Sequence, residues 1–359
     1  MTKKALFAIS SLGLGHATRT LPIIKKYLEK GFKIDIVSFG NALNYLKNDL
    51  KENVNFYEFE DYPALERGDG ISYYYFLIQD TLKTHSLIKK EQDFIESLQE
   101  KNNYDFIFSD GRYGSYSKKT KCYILSHQLS FDIPKFFGFS QKFMDNYNKK
   151  VFQKFDMLFI PDYEDKKDNL AGKLSHPDRI GEVNHCYIGI LSSFFDAEKK
   201  QSDEIDFLVT VSGYLTERKD FFISEIKNNL KKMPGKKVFI LGNTKEFKEE
   251  KHGEDLQIYS FLSGEKRNEI FLKSKNIVSR AGYTTIMDLI ELDKKAILYP
   301  TPNQTEQEYL AEYLSKKDIF LVGKDASDIK NLANFKQTKN IFKTKTKDAL
   351  EKILKIINL

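Results

Sequence analysis

Residues 4 to 28, KALFAISSLGLGHATRTLPIIKKYL, constrain the chain more than any other stretch, because they demand a strand, a tight loop and a helix in immediate succession. Lys4 to Ile9 reads as a buried parallel strand. Gly13 and Gly15 allow a tight turn, and Leu21, Ile24 and Leu28 then recur with helical spacing. His16 therefore stands at the mouth of a helix and at the carboxyl end of a strand. In open α/β sheets ligands bind at that edge, and the unpaired N–H groups of such a helix start attract anions.

The same unit recurs along the chain. Lys33 to Ser38 and Val54 to Phe59 read as strands around a short helix from Ala42 to Leu50, a βαβαβ rhythm. A turn-rich segment, 61 to 69, leads into a long helix from Ser72 to Glu100, where Tyr73, Phe76, Leu77 and Asp80 share a face that reads as a core contact. Tyr104 to Ser109 ends in SDGRYGSY and Cys122 to Leu125 ends in SHQL. Asp110, Arg112 and His127 thus come from strand ends, as His16 does, and parallel strands would bring them to one edge.

Met157 to Pro161 reads as a further strand, and Tyr187 to Ile190 closes the first half. The charged run DAEKKQSDE, 196 to 204, reads as a linker between an N-terminal domain over 1 to 195 and a C-terminal domain over 205 to 340. The pattern restarts with Phe207 to Val211, which runs into Ser212, Gly213 and a helix start. Strands follow at Lys237 to Leu241, Gln257 to Phe261 and Asn276 to Ser279. Residues 279 to 314, SRAGYTTIMDLIELDKKAILYPTPNQTEQEYLAEYL, supply a loop at Ala281 and Gly282, a helix from Thr284, a strand from Ala296 to Tyr299 and a helix near Thr305. An amphipathic helix, Thr346 to Ile357, lies in a last segment, 341 to 359, that is expected to pack back on the N-terminal domain. The fold class is α/β, with two successive Rossmann-like domains.

Composition narrows the function classes only slightly. The formal charge of +6 comes from lysines dispersed among aromatics, which suits anionic lipid, acidic substrates or nucleic acid, and equally a solvated surface. Zinc-finger spacing, a basic helix with heptads and an RNP-type strand are all missing, so no nucleic-acid partner is expected. Cys122 and Cys186 offer no disulfide framework, which points to a reducing, cytoplasmic setting. The opening apolar run lacks a small-x-small cleavage site, and no stretch reaches the apolar length of a spanning helix. The stretch KFFGFSQKFMDNYNKKVFQKF, 135 to 155, fits a core-facing helix with a solvated lysine side or a helix lying on an anionic membrane surface. With the lysines after Tyr116, it adds an expectation of peripheral attachment at the inner face of the membrane.

The opening GLGHATR resembles the glycine-rich loop and histidine of the acceptor domain of GT-B glycosyltransferases of the family 28, MurG-like type. The later SRAGYTTIMDLI and PTPNQTEQEYLAEYL resemble that group's nucleotide-sugar donor motif. The resemblance spans essentially the whole chain and implies two Rossmann-like domains facing across a cleft. It also implies transfer of a hexosyl or N-acetylhexosaminyl group from a nucleotide sugar, usually a UDP sugar, to a glycan or lipid-linked acceptor.

On this resemblance the donor is held by the C-terminal half. Ser212 and Gly213, like Ala281, Gly282 and Thr285, would present helix-start N–H groups to the diphosphate, with Arg218 as a bidentate phosphate contact and Arg280 as a structural ion-pair residue. Asp288 stands where the family has a glutamate on the ribose hydroxyls, with an exposed helix aspartate as the plainer reading. Gln307 and Glu308 match a polar pair facing the donor sugar, the second acidic here instead of an amide. Gln304 adds a sugar contact, and Phe261 a wall for the base. Gly13, Gly15, Arg112 and His127 would face the acceptor, His127 fitting a satisfied strand-end histidine equally well.

The implied reaction is an inverting single displacement without cofactor or metal, since no Asp-x-Asp follows a strand. His16 is the candidate base, imidazole titrating near pH ~6.5, and Asp110 would orient it; His16 as a mere hydrogen-bond donor and Asp110 as a cap of the Gly111 turn stay open. A nucleotide-sugar hydrolase or 2-epimerase in the same fold is the enzymatic alternative, and a non-catalytic sugar-nucleotide-binding module the other.

Overall fold

The computed structural model describes residues 2–63, 71–130, 146, 148–177, 181–197, 202, 204–211, 216–243, 248–337 and 342–358; of 71–82, 216–219 and 333 it describes the helical backbone only. The chain divides into two compact units, Met1–Ile190 with Lys347–Leu359, and Leu191–Thr346. The charged run 196 to 204 falls inside the second of them.

In the first unit, β1 (Lys4–Ile9), β2 (Lys33–Ser38), β3 (Asn55–Glu58), β4 (Phe106–Asp110), β5 (Lys121–Leu125), β6 (Met157–Ile160) and β7 (His185–Tyr187) form one parallel sheet in the order β3-β2-β1-β4-β5-β6-β7. Helices α1 (Gly15–Glu29), α2 (Gly40–Leu50) and α3 (Ile71–Asn102) are its crossovers. Ala5 to Ile9 and all of β4 are fully buried, as strands covered on both faces must be.

Aromatic packing fixes where α1 lies on this sheet. Tyr27 of α1 meets Phe32 at 5.0 Å and Phe106 of β4 at 4.8 Å between ring centroids, and Phe7 of β1 meets Phe108 at 5.5 Å. Each such ring, fully buried, contributes about 1.5–3 kcal/mol. The helix is thereby docked with its first turn, and His16, at the C-terminal ends of β1 and β4.

The second unit repeats the plan. Strands β8 (Ile205–Thr210), β9 (Lys237–Ile240), β10 (Glu249–His252), β11 (Leu256–Tyr259), β12 (Ser274–Ser279), β13 (Lys295–Leu298) and β14 (Leu321–Val322) lie in the order β10-β11-β9-β8-β12-β13-β14. All pairs are parallel except β10 with β11. Helices α4 (Thr216–Leu230), α5 (Gly264–Leu272), α6 (Tyr283–Leu292) and α7 (Thr305–Ser315) connect them, and α8 (Thr346–Ile357) returns the chain to the first unit. Strands β10 and β14 have no counterpart in the sequence reading. The first, EEKH, is a polar edge strand and the second has two residues, so neither shows an apolar run.

Among the described residues no helix is long and apolar enough to cross a membrane. Most of the Phe/Lys stretch, 135–145 and 147, lies outside the described residues, as do the side chains of Tyr73, Phe76, Leu77 and Asp80. Its described end corrects the membrane-surface reading there. Phe152 and Phe155 are buried in the first unit's core against Leu158 and Tyr116, and Lys154 lies over the Tyr116 ring. The nearby Lys119 and Lys121 are paired with Glu100 and Asp156.

Candidate functional site

Three strand-end segments of the first unit meet around one carboxylate. Asp110, the last residue of β4, is fully buried. Its Oδ1 lies 2.7 Å from His16 Nδ1 and also accepts from Arg19 Nη2, while its Oδ2 accepts from Arg19 Nε at 2.8 Å and Thr20 Oγ1 at 2.7 Å. Burial alone would raise the Asp110 carboxyl, but the Arg19 guanidinium and His16 hold it well below the usual carboxylate range. Asp110 is thus a permanent anion at neutral pH. His16 is 22% exposed, and its Nε2 has no hydrogen-bond partner among the described residues.

The fit is close on the other side of the ring too. Gly111 has φ +72°, and a Cβ there would stand 2.8 Å from His16 Cε1. Only glycine serves that left-handed turn while leaving room for the imidazole. Gly13, at φ +92°, turns the loop before α1; Gly15 instead starts the helix with ordinary backbone.

Asp61 holds this loop from outside. It accepts from Ser10 Oγ at 3.0 Å and from the Ser11 N–H, and Arg112 lies 3.5 Å from its other oxygen. Arg112 is fully buried and pairs with the fully buried Glu91, which also takes the Tyr62 hydroxyl, the Gly114 N–H at 3.0 Å and Ser115 Oγ at 2.9 Å. The acceptor-facing expectation for Arg112 is therefore corrected: its guanidinium is spent on Glu91, Asp61 and the carbonyls of Phe59 and Glu60, and it organises the loop. His127 is brought to the site, buried, with Nδ1 3.1 Å from Arg19 Nη1.

In the second unit the Ser212–Gly213 loop and the Arg218 side chain lie outside the described residues. Ala281 is fully buried, and Gly282 is the N-cap of α6 with φ −70°, a conformation open to any residue. Thr285 is half-buried in the first turn of that helix.

Asp288 departs from both expectations for it. It is 4% exposed, accepts from Ser192 Oγ at 2.5 Å and pairs with Arg267 at 3.1 Å, with burial pushing its carboxyl up. It is neither an exposed helix aspartate nor presented to a ribose; it ties residues 192–193 to α6 through Arg267, which also donates to Ser193 Oγ. Phe261 is 5% exposed, which leaves little of its face for a base.

Arg280 forms no ion pair among the described residues, correcting its assignment as an ion-pair residue. It stacks 3.8 Å over the Phe222 ring, donates to the Pro300 carbonyl at 3.2 Å and is pulled by burial to about 10. Gln307 Oε1 accepts from the Thr301 N–H at 3.0 Å, and Glu308 Oε1 from the Asn303 N–H at 3.0 Å, so both shape the loop after β13; Gln304 is the half-buried N-cap of α7. Arg280, Tyr299, Asn303, Glu308 and Gly323 line a cavity of about 1320 Å³ at the C-terminal ends of β12 to β14.

Sequence reasoning missed Arg19, Thr20, Asp61 and Glu91. For Arg19 a signal existed: at three residues from His16 it shares that histidine's helix face.

Two sheets with the 3-2-1-4-5-6 strand order, the second once its antiparallel edge strand β10 is set aside, with polar groups gathered at the strand ends, define the GT-B fold. Residues 215–355 match the sequence profile of the glycosyltransferase family 28 C-terminal domain. An uncharacterized glycosyltransferase of Methanosarcina acetivorans is 26% identical over 173 residues, 45% of this chain and 42% of that protein. The match thus spans less than half the length of that relative. Acinetobacter baumannii MurG superposes with a TM-score of 0.57 at 13% identity, over 99% of each chain. A Listeria monocytogenes protein given as a UDP-N-acetylglucosamine 2-epimerase superposes with a TM-score of 0.63 at 12% identity, over 99% of this chain and 95% of that one. At these identities the likeness is one of fold.

Proposed function

We propose that the chain is an inverting glycosyltransferase that moves a hexosyl or N-acetylhexosaminyl group from a UDP sugar to a hydroxyl of a glycan or lipid-linked acceptor. The observation that carries this reading is the His16–Asp110 pair, in a chain whose residues 215–355 match a family 28 C-terminal domain. The name of the epimerase neighbour, which carries UDP-N-acetylglucosamine, favours an N-acetylhexosamine on a uridine nucleotide.

In the proposed reaction the acceptor oxygen attacks the anomeric carbon as the bond to the diphosphate oxygen breaks, and the acceptor proton goes to His16 Nε2. Asp110, already anionic, stabilises the imidazolium that forms. No metal is required in this scheme: the start of α6 at Gly282, the helix start after Ser212 and Gly213, and Arg218 meet the charge of the departing nucleoside diphosphate. Gln304, Gln307 and Glu308 face the donor sugar.

The test is a panel of UDP, GDP and dTDP sugars offered with glycan and lipid-linked acceptors. Transfer from a UDP sugar supports the reading; absence of binding to every donor by calorimetry removes it. The epimerase-like neighbour motivates one control, since a free or epimerised sugar formed without acceptor would assign the hydrolase or 2-epimerase reaction instead.

A further inference from the structure

From the hydrogen-bond directions around Asp110 and Arg19 we infer that His16 and His127 are held in opposite tautomers, and that Arg19 is the positioning residue that sets the second of them. This rests on the proposed base role only for its catalytic consequence; the tautomers follow from the geometry alone.

Arg19 Nη2 and Nε donate to the two Asp110 oxygens, Thr20 Oγ1 donates to Oδ2, and His16 Nδ1 lies 2.7 Å from Oδ1. A carboxylate gripped on both oxygens by a guanidinium is ionised and acceptor-only, so Asp110 has no proton to give. His16 must therefore supply the hydrogen to Oδ1 from Nδ1, which leaves the lone pair on Nε2. Arg19 Nη2 lies 3.1 Å from that same Nδ1, but both are donors and both serve Oδ1.

The opposite constraint acts on His127. A guanidinium has only N–H donors, so Arg19 Nη1, 3.1 Å from His127 Nδ1, requires that nitrogen to be the acceptor and places the hydrogen on Nε2. Asp110 thus leaves one imidazole a basic Nε2, and the buried, planar cation paired with it gives the other an Nε2–H. Lysine, a single point charge, has no fork to reproduce this. In the transfer reaction the first ring is fitted to take a proton, and the second to donate a hydrogen bond.

The test is a long-range ¹H–¹⁵N spectrum of the full chain with ¹⁵N-labelled histidine, recorded where the rings are neutral; the chain has six histidines, and His16→Asn and His127→Asn assign the two signals. The expected result is a protonated Nδ1 in His16 and a protonated Nε2 in His127. The same tautomer in both rings, or the reverse pair, overturns the inference using the native protein alone. In Arg19→Lys and Arg19→Gln, His127 is expected to lose its single tautomer, with kcat falling about 10²-fold and KM for the donor unchanged; unchanged tautomers in a folded variant also overturn it. The spectrum needs no substrate, so correct tautomers without any sugar transfer would retain this inference and remove the proposed function.

Discussion

The backbone of Gly111 lies so close to the His16 ring that a methyl group at 111 would stand 2.8 Å from Cε1 and 3.1 Å from Nδ1. The end of β4 and the turn after it therefore supply both the carboxylate that holds the imidazole and the surface against which the ring rests. Gly111→Ala should move His16 off Asp110 and lower kcat about 10²-fold, the penalty of roughly 1 Å of misplacement, with donor affinity unchanged. The positive φ adds about 1–2 kcal/mol of destabilisation, readable in urea unfolding.

Arg112 and Glu91 are both fully buried and paired, so removing one leaves the other charged without its partner. Arg112→Met and Glu91→Ala are each expected to destabilise the first unit by about 3–5 kcal/mol, and the double variant by less than the sum. Denaturation of the four chains checks this; additive costs would show that the pair is not coupled.

How much of this was legible beforehand varies by element. Strands such as FIFSD and KALFAI announce themselves because a doubly covered parallel strand must be apolar, and the paired glycine loops mark the turns at strand ends. His16 and Asp110 follow, since topology brings parallel strand ends together. Charged partners do not follow: Arg112 and Glu91 are 21 residues apart, Asp61 and Ser10 51, and nothing in a linear pattern says that these charges are buried. Arg112 and Asp288 were misread for that reason, as charged residues are expected to face water or ligand unless a buried partner exists.

Asp110 and Asp288 should give opposite pH dependences. Asp110 is held below its unfolded value of about 3.9, so its contribution is complete above that pH and is lost as pH falls through the folded value. Asp110→Asn is therefore expected to cost the same at pH 5 and pH 8, with the gap closing only in strong acid. Burial raises Asp288, so stability declines as pH rises from about 3.9 through its folded value, and Asp288→Asn should remove that decline. Urea midpoints across a pH series report both slopes.

The Cys122 thiol is 1% exposed, and burial pushes it up to about 12. It should resist iodoacetamide at pH 8 in the native chain and react only on unfolding, with the half-buried Cys186 modified first. Mass spectrometry of the labelled peptides distinguishes the two.

The central claim is that His16 takes the acceptor proton during sugar transfer. Its most direct test is the initial rate of labelled-sugar transfer from UDP sugars to glycan and lipid-linked acceptors, compared between the native chain and His16→Ala at equal donor occupancy. The account predicts transfer by the native chain and a loss of about 10²- to 10⁴-fold in the variant, with donor affinity retained. Full transfer by His16→Ala would contradict it.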